Sequence, residues 1–578
     1  MAVSLCPRLL TAPVYQFMLP EVEKFKINIP NILAFCVLAA YSVLFLMDIS
    51  PYWFSPNWIT DDAMQQVYQF HEVFNPGIFK GDIITESMSL YLAPLHYWLA
   101  YLITYLTGDP IVMAHWVMCL QVFLTVIFIF MTINYSAGFF PACMGALWFL
   151  HSGILIQRLT GGLPRGWISP FVAIYLYLAA KQSHFFILIS LLLACVLNSL
   201  AAFLLIASYS LFLFVNYLNK ETRAAYTRPV IYFVACCPIY LLVTLHAIKR
   251  PESIGKMVTY KEALEMPSLS KEGRFKIAPL PPVTFEFNTQ VFQIFTVDYN
   301  KVLRPIKPFV GIVVISLIVL ICAYAAHRKT PPIPRSLYTF IFATLICYFL
   351  ARIFAYNLYV PNRYLRFPIS IFLICFFCIS LWRIFPKRIH SYLALLLLAS
   401  YVFIGTGSGL QKEAGYNYEK GQDGHIFEWI RKYTAQDSVV AGYPNLVDPL
   451  PLFAMRKVYI SNETAHPFYD KFYEVVKHRL EVTFRAHYAR NMKDFLNALN
   501  DEKIDYFIFD RKRFAPEALA KASYFAPFDK LIEELTKNNV GEYAYFQLPK
   551  DLDEKAPYLK FIDSNTALVD VKLLRGRF

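Results

Sequence analysis

The chain has 578 residues, of which 57% are hydrophobic, 17% aromatic and only 16% charged; a soluble domain carries roughly 45–50% apolar and about 25% charged residues. No soluble fold of this length buries so much apolar surface, and the same figures exclude a disordered, collagenous or coiled-coil chain. The net charge of +13 lies wholly in residues 1–406, because residues 407–578 carry 25 Lys and Arg against 25 Asp and Glu; this points to basic residues that fix membrane orientation, not to nucleic acid.

A bilayer core takes about 20 apolar residues per helix. Apolar runs at 30–48, 111–133, 139–157, 167–181, 229–248, 309–326, 337–356, 365–382 and 390–406 predict spans. The run from Phe185 to Leu218 is too long for one upright span, and Asn198-Ser199 at its middle predicts two short spans with a polar hairpin tip. The total is about 11 spans. Leu90–Thr107 is apolar enough to cross, but Pro94, His96 and its many Tyr and Trp residues suit a helix lying along the membrane surface. Counting it as a span, with 185–218 as one long helix, leaves the total unchanged and alters only the side taken by the loops between 108 and 184.

The clusters Lys220/Arg223/Arg228, Arg328/Lys329/Arg335 and Arg383/Lys387/Arg388 fall on one side in either scheme, predicted cytoplasmic by the positive-inside rule. Arg8, Lys24 and Lys26 place the N-terminus with them. The opposite, exported face receives the loops 49–110 and 249–308, the Asn357–Tyr364 turn and the tail. Pro30–Asp48 serves as an uncleaved anchor. The prediction is thus a membrane all-α bundle over 1–406 followed by a soluble α/β domain over 407–578, in a bacterial inner (plasma) membrane, with the N-terminus cytoplasmic and the tail periplasmic or extracellular.

Within the tail, Ser438–Ala441, Lys457–Ser461, Ile504–Asp510, Glu542–Leu548 and Thr566–Leu573 read as strands, and Asp470–Arg490, Met492–Glu502 and Pro516–Asn538 as helices. No glycine-rich phosphate loop follows a strand, so nucleotide binding has no support. All 11 Cys lie between Cys6 and Cys378, and the Cys375-Phe-Phe-Cys378 spacing reads as small hydrophobes in an apolar helix rather than a metal or redox site.

The strongest local feature is Trp58-Ile-Thr-Asp61-Asp62-Ala-Met, just after the first span. Adjacent carboxylates at a membrane surface could act on a lipid-borne substrate, one as general base on an acceptor hydroxyl and the other tuning its pKa or holding a cation. Equally, Thr60-Asp61-Asp62 could be an N-cap with first-turn acids on a helix running to Phe74.

Asp61-Asp62-Ala63 is followed by Tyr91-Leu-Ala-Pro94-Leu-His-Tyr-Trp98-Leu, ending Leu106-Thr-Gly108. Arg363-Tyr364-Leu365 stands before a late span, and Leu197-Asn198-Ser199 breaks a paired apolar run. In this layout the membrane half resembles the GT-C class of polyprenyl-phosphate-sugar-dependent glycosyltransferases, in particular those related to protein O-mannosyltransferases and the lipid A aminoarabinose transferase. The resemblance implies that 90–107 is a juxtamembrane helix. It also implies Asp61 as catalytic base with Asp62 second, and an exported active site with the lipid tail in a groove between spans. Partners would be a polyprenyl-phosphate sugar donor, membrane lipids and a glycan, lipid or protein acceptor, with no nucleic acid.

One departure stands out. Where many relatives place an Asp between the third and fourth spans, this chain reads Gln157-Arg158-Leu-Thr-Gly-Gly-Leu-Pro-Arg165-Gly. Arg158 and Arg165 bind a phosphate if that loop faces outward, and are membrane anchors if it does not. Arg363 and Arg366 are exported in either scheme, where they could grip a lipid phosphate or snorkel to headgroups. Arg352, near the end of an apolar span, is expected to reach the same vestibule, and His71 to line the same cavity. No metal ligand set is evident, and a divalent cation is compatible with the site without being required. The rival reading is a non-catalytic membrane protein: a transporter of lipid-linked glycans, an anchor presenting the tail, or an inactive GT-C-like fold. Nearly charge-free spans without an internal repeat count against transport.

Overall fold

The computed structural model describes residues 28–247, 249–295, 315–321, 324, 333–385, 387–405, 415–417, 424–537, 543–549 and 557–577. The first helix, Ile29–Trp53, begins where the Asn28 side chain accepts the Asn31 N–H at 2.9 Å. Its apolar residues stay uncovered by protein, as do those of later helices: Met47 is 66% exposed, Leu242 68% and Leu397 71%. Such a surface is stable only against lipid.

Six helices are long and apolar enough to cross a bilayer: Ile29–Trp53, Pro110–Ala137, Ser199–Leu218, Arg223–His246, Arg335–Ile353 and Arg363–Ile384. Phe139–His151 and Gly153–Leu159 make a seventh if taken together, bent by 67° at their junction. The predicted count of 11 is therefore not reached among the described residues. Ile168–Ala180 and His184–Leu197 have 13 and 14 residues, about 20 Å each at 1.5 Å per residue, and the apolar run at 309–326 lies mostly outside the described residues. Apolar composition marked these stretches, but turns cut them short, as the 3₁₀ turn Pro164–Trp167 does before Ile168.

The hairpin expected at Asn198 is present. His184 Nδ1 and the Tyr209 hydroxyl lie 3.0 Å apart, so His184–Leu197 and Ser199–Leu218 run antiparallel. Asn198 makes the tip by accepting the Ala201 N–H at 2.8 Å and donating to the Pro164 carbonyl at 2.9 Å. Pro94–Thr107 is a separate 14-residue helix ended by left-handed Gly108 (φ +80°), about 21 Å long and too short for an upright span. It buries His96, whose Nδ1 accepts the Trp167 indole N–H at 3.0 Å, and exposes Trp98, Tyr105 and Leu106.

The tail holds a five-stranded sheet in the order β4-β3-β5-β7-β6, with β3 Val439–Gly442, β4 Lys457–Val458, β5 Tyr506–Asp510, β6 Leu559–Phe561 and β7 Thr566–Asp570. β3 pairs in parallel with β4 and β5; β5–β7 and β7–β6 are antiparallel. Asp470–His487 and Met492–Ala498 are helical. Two expectations are corrected. Glu542–Leu548 is no strand where it is described, since Ala544–Gln547 is a 3₁₀ turn. Pro516–Asn538 is two helices, Pro516–Leu519 and Phe528–Lys537, with Pro527 immediately before the second.

Among the described residues one hydrophobic core lies among the membrane helices, one around the sheet, and a small third one gathers Val258, Ala263, Leu269, Ala278, Ala355 and Tyr356. The first loop is sewn to the tail: Ile84 and Met88 enter the sheet core. The short strand β1, Trp58–Thr60, pairs antiparallel with β2, Gly415–Asn417, in the register Trp58↔Asn417.

Candidate active site

β1 delivers the chain directly into the helix Asp61–Val67. The Thr60 hydroxyl makes no capping bond, and the helix passes at Tyr68 into a 3₁₀ turn. Thr60-Asp61-Asp62 is thus no ordinary helix cap. Asp61 and Asp62 instead open onto a cavity of about 300 Å³ walled by Trp53, the 157–165 loop and the Arg363–Phe367 turn.

Six of the eight residues expected at the site line this cavity: Asp61, Asp62, Arg158, Arg165, Arg363 and Arg366. The 158–165 loop therefore sits beside the aspartates. His71 is elsewhere: its Nε2 lies 2.7 Å from the Leu452 carbonyl oxygen, and burial lowers its pKa. Arg352 does not reach the cavity either. It pairs with Glu286 at 2.5 Å and donates to the Pro281 carbonyl at 2.9 Å, while the Tyr348 hydroxyl donates to the same Glu286 oxygen at 2.6 Å.

Glycine explains how the arginine loop gets so close. Gly161 and Gly162 have φ of +94° and +61°; a Cβ would come within 2.6 Å of Thr60 Oγ1 on the first and 2.2 Å of the Ala114 carbonyl oxygen on the second. Only glycine tolerates both the left-handed backbone and the contact. Beyond them the Leu163 carbonyl accepts from Gln121 Nε2 at 3.0 Å, and the Pro164 carbonyl from Asn198. Arg165 thus leaves a backbone held on three sides, and its Nη1 meets Asp62 Oδ2 at 2.6 Å.

Arg158 is buried, donates from Nη1 to the Arg366 backbone carbonyl, and lies over the Phe367 ring at 5.7 Å. The Nε of Arg366 is buried with no hydrogen-bond partner among the described residues. Four guanidiniums thus share one small cavity with two carboxylates.

The aspartates are driven apart in acidity. Burial, then the neighbouring Asp62 charge, raises Asp61 above the ordinary carboxylate value. Burial also pushes Asp62 upward, but the Arg165 guanidinium, with Arg363 beyond it, overcomes this and holds Asp62 below that value. Two adjacent carboxyls of unequal acidity can divide base and anchor roles. Asp61 accepts the Asp62 N–H at 2.8 Å and is otherwise turned to the open cavity.

Sequence reasoning missed nearby residues that do not line the cavity but feel its charges. Burial and the charges of Asp61 and Asp62 raise the Glu463 carboxyl against the pull of Arg274, its partner at 3.2 Å. Burial, with Arg274 adding to it, holds nearby His466 neutral at about 3, its Nδ1 2.8 Å from the Tyr91 hydroxyl. No local pattern announces these residues, because it is tertiary folding that carries their loops to the aspartates. As for a cation, no group of three His, Cys, Asp or Glu side chains is set to hold one among the described residues.

A helical membrane half joined to an α/β sheet domain, with one cavity that sets four guanidiniums against two carboxylates, defines an integral membrane protein. No protein-family model matches the chain, and no curated protein sequence matches it. Solved structures do. The archaeal oligosaccharyltransferase AglB from Archaeoglobus fulgidus, in complex with an inhibitory peptide and a dolichol-phosphate, aligns over 87% of this chain and 72% of its own at 11% identity, with a TM-score of 0.50. The same enzyme with Zn and sulfate aligns over 87% and 70% at 12% identity and a TM-score of 0.49. ArnT from Cupriavidus metallidurans in the apo state aligns over 93% and 99% at 12% identity and a TM-score of 0.37. At such identities the likeness concerns the fold alone: the chain shares the fold of the archaeal oligosaccharyltransferase AglB.

Proposed function

We propose that the protein is a GT-C-type glycosyltransferase that takes its sugar from a polyprenyl phosphate at the exported face of the membrane. The observation that carries this reading is the single cavity in which Asp61 and Asp62, unequal in acidity, face Arg158, Arg165, Arg363 and Arg366. The donor's phosphate sits among the guanidiniums, which match its oxygens in pairs. Asp61 takes the proton of an acceptor hydroxyl as the oxygen attacks the anomeric carbon. The carbon–oxygen bond to phosphate breaks, its electron pair stays on the phosphate oxygen, and the lipid phosphate leaves with one more negative charge. The arginines stabilise that charge as it develops, and the sugar inverts. The charges of Asp61 and Asp62 reach Glu463, and that of Asp62 reaches His466, which supports assigning acceptor selection to the tail.

Orientation belongs to the same proposal. Arg383 donates from Nε to the Ser136 carbonyl at 2.7 Å, and Arg335 from Nη1 to Asn216 at 3.2 Å, at the ends of helices remote from the cavity. These basic groups mark the cytoplasmic side. The cavity and tail then face the periplasm or exterior of a bacterial inner membrane, and 11 spans result if the bent pair, the three shorter apolar helices Ile168–Ala180, His184–Leu197 and Arg388–Gly405, and the apolar run 309–326 cross with the six long ones. The test is the glycan profile of cells carrying Asp61→Asn or Asp62→Asn, with insertion checked by a reporter fused after Phe578. Loss of the sugar with normal insertion is expected; full activity in both variants overturns the reading.

A further inference from the structure

Paired carboxylates beside a phosphate pocket are the ordinary seat of a divalent cation. Mg²⁺ demands near-octahedral oxygen ligation and Ca²⁺ six to eight oxygens. The groups present do not fit that demand. Asp62 is already engaged by Arg165 at 2.6 Å. The next carboxylate, Glu463, is tied to Arg274 at 3.2 Å, and the His466 Nδ1 is shared with the Tyr91 hydroxyl at 2.8 Å. The Arg165 guanidinium, by contrast, is placed as firmly as a ligated ion. Gly161 and Gly162 press its loop onto Thr60 and Ala114, Gln121 holds the Leu163 carbonyl, and Asn198 holds that of Pro164.

A guanidinium has five N–H donors in a fixed fork. The bond to Asp62 uses one edge, and the side chain remains 32% exposed to the cavity that Arg363 and Arg366 also line. A phosphate there can receive the remaining donors. Arg165 would then connect carboxylate to phosphate, the geometry a bridging metal supplies elsewhere.

We propose that Arg165 is the resident cation of this site: it bridges Asp62 to the donor phosphate in place of a divalent metal. The inference rests on the glycosyl-transfer reading for the identity of the phosphate, though its core, that a guanidinium fills the cation's position on Asp62, does not. During transfer the bond from the anomeric carbon to oxygen breaks, the electron pair passes to the phosphate, and Arg165 meets the new charge by hydrogen bonding without giving up a proton. Asp61, free of any cation, keeps its lone pairs for the acceptor.

The test uses full-length protein in lipid nanodiscs after EDTA treatment, with Mn²⁺ binding followed by electron paramagnetic resonance. Wild type is expected to bind no Mn²⁺ through Asp62, and its transfer rate to change less than about twofold with EDTA. Arg165→Ala should lose transfer by about 100-fold or more and gain a Mn²⁺ site that Asp62→Asn abolishes; Arg165→Gln is read in its place if the alanine variant does not insert. Wild-type Mn²⁺ binding that depends on Asp62, activity lost to EDTA and restored by Mn²⁺, or an Arg165 variant that gains no Mn²⁺ site would each overturn the proposal. The resonance measurement needs no turnover. A protein that transfers no sugar would refute the functional reading while the cation question is still decided.

Discussion

Replacing Gly162 by alanine strikes the contact that holds the arginine loop on the aspartates. At φ +61° an alanine pays about 1–2 kcal/mol for the left-handed backbone. Its Cβ would lie 2.2 Å from the Ala114 carbonyl oxygen, more than an ångström inside ordinary contact, and that oxygen belongs to helix backbone that cannot swing aside. Overpacking of this kind costs a further 1–3 kcal/mol or so, so the total is roughly 2–5 kcal/mol unless the loop lifts away and carries Arg165 from Asp62. Gly77 gives the control: its φ is +83° with nothing within 4 Å of the added Cβ, so Gly77→Ala pays the backbone cost alone. Thermal unfolding in one detergent and sugar transfer in nanodiscs read the two effects. Gly162→Ala should be the less stable of the two and lose most of its transfer, while Gly77→Ala transfers normally. A Gly162→Ala protein as stable and active as Gly77→Ala would refute the role given to this contact.

The Glu286–Arg352 pair joins the loop before residue 295 to the end of a membrane helix, with Glu286 only 2% exposed. Glu286→Gln leaves Arg352 without its carboxylate, at a cost of about 3 kcal/mol, and should speed proteolysis within 281–295; an unchanged cleavage rate would contradict this. Asp448 is half-buried, accepts the Glu463 N–H at 2.7 Å, and desolvation pushes its pKa up to about 7. Its folded value lies above the unfolded value of about 3.9, so its contribution is complete below the unfolded value and lost as pH rises through about 7. Unfolding temperatures should show that decline in wild type and not in Asp448→Asn. Because Asp61 must be ionised to act and its pKa is raised, the acid limb of the transfer profile should lie above the range of a free aspartate, and Asp62, held low by Arg165, should add no limb there.

Much of the site was legible because it is built from local signals. Asp61-Asp62 follows the first span, Arg363 and Arg366 precede a late one, and Asn198 interrupts an apolar run; each is a polar group where apolar residues dominate. What could not be read depended on contacts between distant segments. Arg165 reads as phosphate ligand or membrane anchor until Gly161 and Gly162 fold its loop onto Thr60 and Ala114. Glu463 and His466 are ordinary tail residues until the fold brings their loop beside the first one. His71 and Arg352 were misplaced for the complementary reason. Both lie near the site in sequence or along a span, but each finds a closer partner, the Leu452 carbonyl and the Glu286 carboxylate. Span lengths were harder to read: an apolar run is visible in composition, whereas the break that shortens it, as at Ser152 or Pro164, is settled by packing.

The most direct test of Asp61 as the base is single-turnover sugar transfer from a saturating polyprenyl-phosphate sugar by wild type and Asp61→Asn in the same nanodiscs. Loss of a general base lowers the rate by about 10²–10⁴-fold, and the account predicts a loss of that size with donor affinity unchanged, since the arginines that hold the phosphate remain. An Asp61→Asn protein that transfers within about twofold of wild type would contradict it.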